Sequence, residues 1–234
     1  MDIYSKTIIV IPTLNERENL EKLIPAIFDL IPDINVLVAD DNSKDGTEEL
    51  INNLRGNFIR LFFLKRLSDR GYGRSCLEAF QWAINRGHEY IVTMDADFSH
   101  DFNSIPQIIA ALTKADMVVG SRYVKGGEIE NWSLRRRMLS KFANLYVRTI
   151  LGLPIRDVTT GFNGYRATVL KKDHLSIIKS DGYAFLTELK YYLIRAGATT
   201  IEIPITFRER REGLSKMSSV VIWEAIWLPW RLIL

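Results

Sequence analysis

Short apolar segments rich in β-branched residues alternate with amphipathic segments along the first half of the chain. Within residues 16–30, Leu20, Leu23, Ile24, Ile27 and Phe28 recur at the spacing of one helix face. Such alternation is typical of an α/β domain with a mainly parallel sheet between helices. The pattern predicts strands at Thr7–Ile11, Asn35–Ala39, Ile59–Leu64, Tyr90–Met94 and Met117–Gly120, and helices at Glu16–Leu30, Ser43–Leu54, Gly73–Asn85, Ser104–Leu112 and Met138–Leu151.

The C-terminal segment Val220–Leu234 is apolar and contains three tryptophans and only two charged residues, Glu224 and Arg231. It is shorter than the roughly 20 residues that a bilayer span needs, and it contains a proline. Two interpretations stay open: an amphipathic helix packed on the core, and an interfacial helix on a membrane. Upstream basic residues favour the membrane, because anionic lipids attract them: Arg208, Arg210, Arg211 and Lys216.

Composition narrows the class of protein. The 234 residues are 47% hydrophobic and 25% charged, which is typical of a globular domain and excludes a disordered chain. A net charge of +3 is too mild for a protein whose main partner is nucleic acid. The only cysteine, Cys76, cannot form an internal disulfide, and the run Thr7–Ile11 is too short for a signal peptide. We therefore expect a protein on the cytoplasmic side, without a full transmembrane span.

Polar residues follow four of the predicted strands, at the edge where parallel sheets bind ligands. Pro12–Glu18, after the first strand, by itself indicates only a turn and a helix cap. Asp40 and Asp41 follow the second strand, and two adjacent carboxylates repel each other unless something uses their charge. Either a base or ribose hydroxyl donates to them, or they form a turn that leads into a helix.

The segment Asp95-Ala96-Asp97, after the fourth strand, is the sharpest candidate. In an extended chain both carboxylates point to the same side, with the small Ala96 between them. Two carboxylates on one face suit Mg²⁺ or Mn²⁺ that carries phosphate oxygens. Beyond the fifth strand, Arg122 and the run Arg135–Arg137 indicate an anion site, because guanidinium groups bind phosphates in a bidentate manner.

These motifs, in this order, resemble the inverting family 2 glycosyltransferases with a GT-A fold, and most of all the polyprenol-phosphate (dolichol-phosphate) mannose synthases. The likeness extends over nearly the whole chain. Its segments are Ile11–Leu20, Asp40-Asp41, Met94–His100, Gly120–Gly127, Asn131-Trp132, Asp157–Phe162, Gly182–Phe185, Pro204–Phe207 and Gly213–Lys216.

The resemblance implies a Rossmann-like, three-layer α/β/α GT-A catalytic domain over residues 1–217 and a C-terminal amphipathic helix over residues 218–234. It implies transfer of mannose from GDP-mannose to a polyprenyl or dolichyl phosphate, with inversion, to give a β-linked product. The expected cofactor is Mg²⁺ or Mn²⁺. The expected location is peripheral, on the cytoplasmic face of a membrane, where a membrane-anchoring partner protein is a further expectation.

The resemblance also implies a role for each site residue. The nucleotide sugar would contact Pro12, Leu14, Glu16, Val38, Asp41, Asp95, Ala96, Asp97, Arg210 and Lys216. The metal would be held by Asp95, Asp97 and Ser99. The acceptor phosphate would be held by Arg122, Arg136 and Ser140, and the catalytic set would be Asp95, Asp97, Arg122, Arg210 and Lys216.

Three other functions remain open at this stage. UDP-glucose or another sugar nucleotide could be the donor, because the core motifs are shared among lipid-phosphate glycosyltransferases. A catalytically inactive nucleotide-binding scaffold at the membrane would carry the same motifs. A phospho-receiver domain also has paired acids, but it would place them after its first strand and would need only about half this length.

Overall fold

A computed structural model describes residues 2–182, 184–209 and 219–234 of the chain. The described residues form nine strands and eight α-helices. The strands are β1 (Thr7–Thr13), β2 (Asn35–Asp40), β3 (Leu61–Lys65), β4 (Tyr90–Thr93), β5 (Met117–Ser121), β6 (Glu128–Ile129), β7 (Asn163–Arg166), β8 (Thr200–Pro204) and β9 (Thr206–Phe207). The helices are α1 (Arg17–Leu30), α2 (Thr47–Leu54), α3 (Tyr72–Asn85), α4 (Ile105–Leu112), α5 (Leu134–Leu151), α6 (Lys172–Ser176), α7 (Ala184–Arg195) and α8 (Ser219–Ile233).

Seven strands form the central sheet, in the order β3-β2-β1-β4-β7-β5-β8. β7 is antiparallel to both of its neighbours, whereas all the other pairs in this sheet are parallel. The carboxyl ends of β1, β2, β4 and β5 therefore meet at one edge. A second, two-stranded sheet pairs β6 with β9 beside that edge.

Alternating side chains of the central strands enter two separate cores. In β1, Ile9 and Ile11 pack towards α1, α2 and α4, whereas Ile8 and Val10 pack towards α3, α5 and α7. All four side chains are fully buried. This two-sided burial explains the continuous apolar run of the strand, since a parallel sheet is covered on both faces. The predicted three-layer arrangement with a mainly parallel sheet is confirmed.

The five predicted strands and five predicted helices are present, with shifted ends. The start of α5 lies at Leu134, four residues before Met138, and the start of α2 lies at Thr47, four residues after Ser43. The intervening residues form a turn in which Asp45 accepts hydrogen bonds from the backbone N–H and the hydroxyl of Thr47, at 3.1 and 2.7 Å. Gly46, with φ of +86°, completes this turn in the left-handed region that glycine favours.

The predicted C-terminal helix is α8, which packs against α5 and α7. Leu228 is buried, the Trp230 indole N–H donates to the Tyr146 hydroxyl at 2.9 Å, and Arg231 donates to Glu188 at 3.2 Å. Trp227 nevertheless remains 62% exposed. Among the helices described, none has the length and apolar character needed to cross a bilayer. The division of the chain at residues 217 and 218 stays a prediction.

Candidate active site

The loops after β1 and β2 are joined by hydrogen bonds at the carboxyl edge of the sheet. Asp41 donates its backbone N–H to the carbonyl oxygen of Thr13 at 2.9 Å, and Asn15 donates its backbone N–H to the Ser43 hydroxyl at 2.7 Å. Lys44 donates its backbone N–H to the Asn15 side-chain oxygen at 2.8 Å. The two loops therefore form one surface, as expected for neighbouring parallel strands.

The residues predicted to line a nucleoside pocket differ in exposure. Leu14 is 40% exposed, Pro12 is partly buried, and Glu16 accepts a hydrogen bond from the Asn19 side chain at 2.7 Å. Val38 is fully buried in the core that packs against α1 and α2. Contact of these residues with a nucleoside stays a prediction.

The carboxylate of Asp41 forms an ion pair within the protein. Arg66, which is almost fully buried, pairs with the Asp41 carboxylate and donates to Glu78 at 2.8 Å. The other Asp41 oxygen accepts the backbone N–H of Gly71 at 2.8 Å. Arg66 was not predicted from the sequence. This residue directly follows β3, and no sequence pattern indicated that it pairs with a distant carboxylate.

Asp40, its neighbour, accepts the backbone N–H of Ser43 at 3.0 Å and also the hydroxyl of that serine. Asp40 therefore forms the turn that the sequence left open, while Asp41 forms an ion pair. The repulsion between adjacent carboxylates is relieved by these two different sets of partners.

Asp95 lies just beyond β4, among residues that hold it in place. The Tyr72 hydroxyl donates to its carboxylate at 3.4 Å, and the Asp95 backbone N–H donates to Nδ1 of His100 at 3.1 Å. Gly161 lies against this group, so that a Cβ there would be 3.5 Å from the Asp95 carboxylate and 2.9 Å from the Tyr72 hydroxyl. The absence of a side chain at Gly161 therefore lets the Tyr72 hydroxyl approach the Asp95 carboxylate.

His100 is buried and stacks on Phe162 with 5.1 Å between ring centroids. Burial lowers its pKa, and this effect outweighs the nearby carboxylates of Asp95 and Asp97. The ring is therefore neutral near pH 7. Because Nδ1 accepts a hydrogen bond, Nε2 carries the proton, and His100 acts here as a support for the Asp95 backbone.

Asp97 and Ser99 lie deeper than Asp95. Asp97 accepts the backbone N–H of Ser99 at 3.0 Å, and the carbonyl oxygen of Ser99 accepts the backbone N–H of Arg208 at 2.9 Å. Asp97 and Ser99 are 3% and 1% exposed, whereas the Asp95 side chain is 21% exposed. Asp95 is thus the more accessible of the two carboxylates.

The two carboxylates fit a divalent cation that is held jointly with a ligand. In the parts of the chain that are described, no group of three or more acidic, histidine or cysteine side chains is arranged to hold a metal. Mg²⁺ is usually bound by one or two carboxylates, with waters and substrate phosphates completing its octahedral shell. Asp95 and Asp97 supply oxygen donors of this kind, and the part played by Ser99 stays a prediction.

Arg122, at the end of β5, is fixed by a buried carboxylate. Its Nε and one terminal nitrogen donate to the two oxygens of Asp157, both at 2.7 Å, and its backbone N–H donates to the same carboxylate at 3.0 Å. Thr159 accepts a further hydrogen bond at 2.8 Å. Burial alone would raise the pKa of Asp157, but the charge and hydrogen bonds of Arg122 outweigh it and hold that pKa below its usual value.

The residues predicted to hold an acceptor phosphate are connected through aromatic side chains. The Tyr123 hydroxyl bonds to the Ser140 hydroxyl at 2.7 Å, and the guanidinium carbon of Arg122 is 5.4 Å from the Tyr123 ring. Arg136, one helical turn before Ser140, lies over the Trp132 ring at 4.0 Å. The structure therefore brings Arg122, Arg136 and Ser140 to one region, although binding of a phosphate there stays a prediction.

Lys190, on α7, is a fully buried residue that the sequence did not mark. Its Nζ donates to the carbonyl oxygens of Val158 and Thr160 at 3.1 and 2.7 Å, on both sides of Thr159. Burial lowers its pKa to about 7, an effect that the neighbouring carboxylates of Asp157 and Glu202 only partly offset. Because α7 is buried on several sides, no polar face pointed to this lysine.

Arg210 and Lys216, the predicted ligands of the donor phosphates, lie outside the described residues. The described chain before them passes close to the acidic motif, because Phe207 pairs with His100 and Arg208 with Ser99. Glu209, the last described residue of this segment, accepts a hydrogen bond from Arg136 at 2.7 Å. The segment that precedes Arg210 therefore touches both the Asp95 side and the Arg136 side of the site.

Comparison with known proteins identifies the family to which the chain belongs. Residues 8–173 match the family described as Glycosyl transferase family 2. The chain belongs to this family of glycosyltransferases.

Three relatives cover 94% of the chain and narrow the resemblance. Polyprenol monophosphomannose synthase of Mycolicibacterium smegmatis is 42% identical, with 84% of its length covered. Undecaprenyl-phosphate mannosyltransferase of Micrococcus luteus is 38% identical, with 91% covered. Dolichol-phosphate mannosyltransferase of Pyrococcus furiosus is 34% identical, with 61% covered. The resemblance to polyprenol-phosphate mannose synthases is thus confirmed.

Solved structures confirm the GT-A fold. Glucosyl-3-phosphoglycerate synthase of Mycobacterium tuberculosis, in a complex with Mn²⁺, UDP and phosphoglyceric acid, matches with a TM-score of 0.68. The match covers 99% of this chain and 78% of that one, at 16% identity. Such a distant likeness supports the fold, and the choice of donor and acceptor depends on other observations.

Proposed function

We propose that this protein transfers mannose from GDP-mannose to a polyprenyl phosphate, with inversion, at the carboxyl edge of its central sheet. The supporting observation is that two acidic residues and two arginines meet at this edge, in a chain 34–42% identical over 94% of its length to three lipid-phosphate mannosyltransferases. Asp95 and Asp97 form the donor side. Arg122, Arg136 and Ser140 form the acceptor side.

On the donor side, Asp95 and Asp97 would hold Mg²⁺ or Mn²⁺ together with the diphosphate of the sugar nucleotide. The ion supplies Lewis-acid stabilisation of the charge on the departing diphosphate. Tyr72 and His100 keep Asp95 in position through its carboxylate and its backbone N–H. Arg210 and Lys216 are proposed to add fixed positive charge to the same phosphates, where it would stabilise the transition state.

On the acceptor side, the attacking oxygen belongs to a phosphate monoester. Its second pKa is about 6, so it is already anionic near neutral pH and needs no general base. Arg122 and Arg136 would neutralise and orient it for attack on the face of the sugar opposite the diphosphate. His100 is buried, its Nδ1 already accepts the Asp95 backbone N–H and its Nε2 carries the proton, so it is not placed to act as a base.

Two neighbouring helices, α5 and α8, expose apolar side chains that are suited to contact with a membrane surface. On α5, Met138, Phe142 and Leu145 are 64%, 66% and 56% exposed, and on α8, Trp227 and Trp230 are 62% and 43% exposed. We call these five residues the apolar face. Exposed aromatic and aliphatic side chains of this kind are typical of helices that lie in the lipid headgroup region.

Basic residues accompany the apolar face, since the first turns of α5 carry Arg135, Arg136, Arg137 and Lys141. They would attract anionic lipid at about 1 kcal/mol for each charge near the surface. Peripheral attachment at the cytoplasmic face would bring the site to a lipid-borne phosphate. A membrane-anchoring partner protein remains part of the proposal, as an additional means of attachment.

The test is a transfer assay with the purified protein. Labelled GDP-mannose, Mg²⁺ and polyprenyl phosphate should give an organic-extractable, β-linked mannosyl phosphate lipid. UDP-glucose should give at least tenfold less product, and Asp97→Asn should lower transfer at least about a hundredfold because it removes one charged metal ligand. Absence of labelled lipid, preference for UDP-glucose, or full activity of Asp97→Asn would contradict the proposal.

A further inference from the structure

Trp132 lies between the two arginines of the acceptor side. The guanidinium carbon of Arg136 is 4.0 Å from the centroid of its ring, and that of Arg122 is 5.8 Å away. Phe207 meets the same indole edge-on, with 5.3 Å between ring centroids. Asn131, with φ of +61°, turns the chain just before Trp132, and α5 starts just after it. One aromatic ring therefore contacts both cations.

An aromatic ring can hold two arginines close to each other and leave them available to bind an anion. Two guanidinium groups repel each other, and a carboxylate placed between them would relieve the repulsion but weaken their attraction for an anion. The face of an indole attracts a cation through its quadrupole and uses none of the N–H groups. The N–H groups of a stacked arginine therefore remain free to donate to a phosphate.

The hydrogen bonds of Arg122 leave one terminal nitrogen available, although a carboxylate holds the rest of its guanidinium group. Asp157 and Thr159 accept from Nε and Nη2, and within residues 2–182, 184–209 and 219–234 no acceptor pairs with Nη1. The ion pair between Arg136 and Glu209 has side chains that are 34% and 47% exposed, and exposed pairs of this kind contribute little. Another anion can therefore replace Glu209 at little cost while Arg136 keeps its contact with Trp132.

We propose that Trp132 is a positioning residue for the acceptor phosphate. Its ring holds the Arg136 guanidinium in the plane and place where it reaches the same phosphate as Arg122, and the phosphate replaces Glu209 as the partner of Arg136. This inference rests on the proposed function, since it assumes that a lipid phosphate binds these two arginines.

The test compares two substitutions of Trp132 with a matched control elsewhere. Trp132→Leu removes the ring, and Trp132→Phe keeps an aromatic face. Trp82→Leu removes a ring that carries another arginine, Arg86, at 3.7 Å on the outer side of α3, away from the site. The KM of polyprenyl phosphate and the KM of GDP-mannose are measured for each, with circular dichroism to verify folding.

Trp132→Leu should raise the KM of polyprenyl phosphate about tenfold and leave the KM of GDP-mannose unchanged, as expected for loss of one partly desolvated cation–π contact. Trp132→Phe should recover most of this loss, and Trp82→Leu should behave as the unsubstituted protein. The same substitution made in an Arg136→Gln background should have little further effect, because Trp132 acts through Arg136.

Any of three results would overturn the inference. Trp132→Leu could change both KM values equally, Trp132→Phe could be as impaired as Trp132→Leu, or the effects of Trp132→Leu and Arg136→Gln could be additive. Should Trp132→Leu fail to fold, Arg136→Lys decides, because lysine keeps the charge but lacks the planar group that stacks. An unchanged KM of polyprenyl phosphate in Arg136→Lys would then contradict a positioning role of Trp132. Failure of the proposed function is distinct, since the unsubstituted protein would then form no mannosyl lipid.

Discussion

Two basic and two acidic side chains, Arg122, Lys190, Asp157 and Glu202, lie behind the acceptor side. Arg122 pairs with Asp157, whose backbone N–H donates to Glu202 at 3.0 Å, and Lys190 bonds to the carbonyl oxygens on both sides of Thr159. Asp157 and Lys190 are fully buried. Removal of one member would leave another without its partner, which costs about 3–5 kcal/mol for a buried pair.

The depressed pKa of Lys190 predicts how stability depends on pH. Its pKa is about 7 in the folded protein, compared with about 10.4 for an ordinary lysine. Below pH 7 the group is charged in both states, and the cost of its burial is fully present. Between pH 7 and about 10 the unfolded chain binds a proton that the folded protein has released. The free energy of unfolding should then rise by up to about 1.4 kcal/mol per pH unit.

Lys190→Met should remove the rise of the unfolding free energy with pH. It should leave a loss of stability that is independent of pH, because the two carbonyl groups lose their hydrogen-bond donor. Urea unfolding at pH 7.5 and 9.5 measures the difference between the unsubstituted protein and the variant, which should grow with pH. Lys114→Met, at an exposed position, is the matched control and should follow the unsubstituted protein at both pH values. A difference for Lys190→Met that stays constant with pH would show that the amine keeps an ordinary pKa.

At the scale of the elements, the first turn of α3 connects the nucleotide side with α7. Gly71 donates its backbone N–H to Asp41, and Gly73 donates its backbone N–H to Asp181, just before α7, at 3.0 Å. Gly71 has φ of +138°, and a Cβ there would lie 1.9 Å from the Asp181 carboxylate. This turn therefore requires glycine for both its conformation and its space.

Gly71→Ala should lower the free energy of unfolding by about 2–4 kcal/mol, because strain and a steric clash act together. Gly87→Ala is the matched control, since Gly87 has φ of +82° but nothing within 4 Å of a new Cβ. It should cost only the strain of a left-handed residue, about 1–2 kcal/mol. Urea unfolding of both variants provides the comparison, and equal losses would show that the contact with Asp181 is unimportant.

The sequence pattern predicted β1 to β5, α1 to α5 and α8, but it missed the other described strands and α-helices, which are β6 to β9, α6 and α7. β1 and β2 contain the continuous apolar runs Ile8–Ile11 and Val36–Ala39, whereas β7 reads Asn163-Gly-Tyr-Arg and has no such signal. α7 buries Thr187, Glu188 and Lys190 together with its apolar residues, so its sequence lacks the one-sided pattern of a surface helix. In both cases the tertiary environment determines the structure.

The same limit applies to the candidate site. Asp95, Asp97 and Arg122 were found because each follows a predicted strand, at the edge where ligands bind. Their supports, such as Tyr72 and Asp157, come from distant parts of the chain, and a single sequence does not reveal such pairings. The motifs therefore indicated the chemistry of the site, whereas the structure was needed to identify what holds it in place.

At the scale of the whole molecule, the apolar face should determine attachment to lipid. Phe142→Glu should weaken binding to vesicles of phosphatidylglycerol and phosphatidylcholine about tenfold or more, because an exposed aromatic ring that would enter the lipid is replaced by a charge that anionic lipid repels. Ile59→Glu is the matched control, since Ile59 is 92% exposed just before β3, at the opposite end of the sheet. Co-sedimentation measures both, and equal binding would contradict a membrane contact through α5.

The reversed direction of β7 has a geometric consequence for the two substrates. Because β7 lies between β4 and β5, the strands that carry Asp95 and Arg122 are two spacings apart, or about 10 Å. The intervening strand begins at this edge with Asn163, and Gly161, two residues before it, carries no side chain of its own. In the proposed reaction, this spacing leaves room for one hexose between a diphosphate at Asp95 and a lipid phosphate at Arg122.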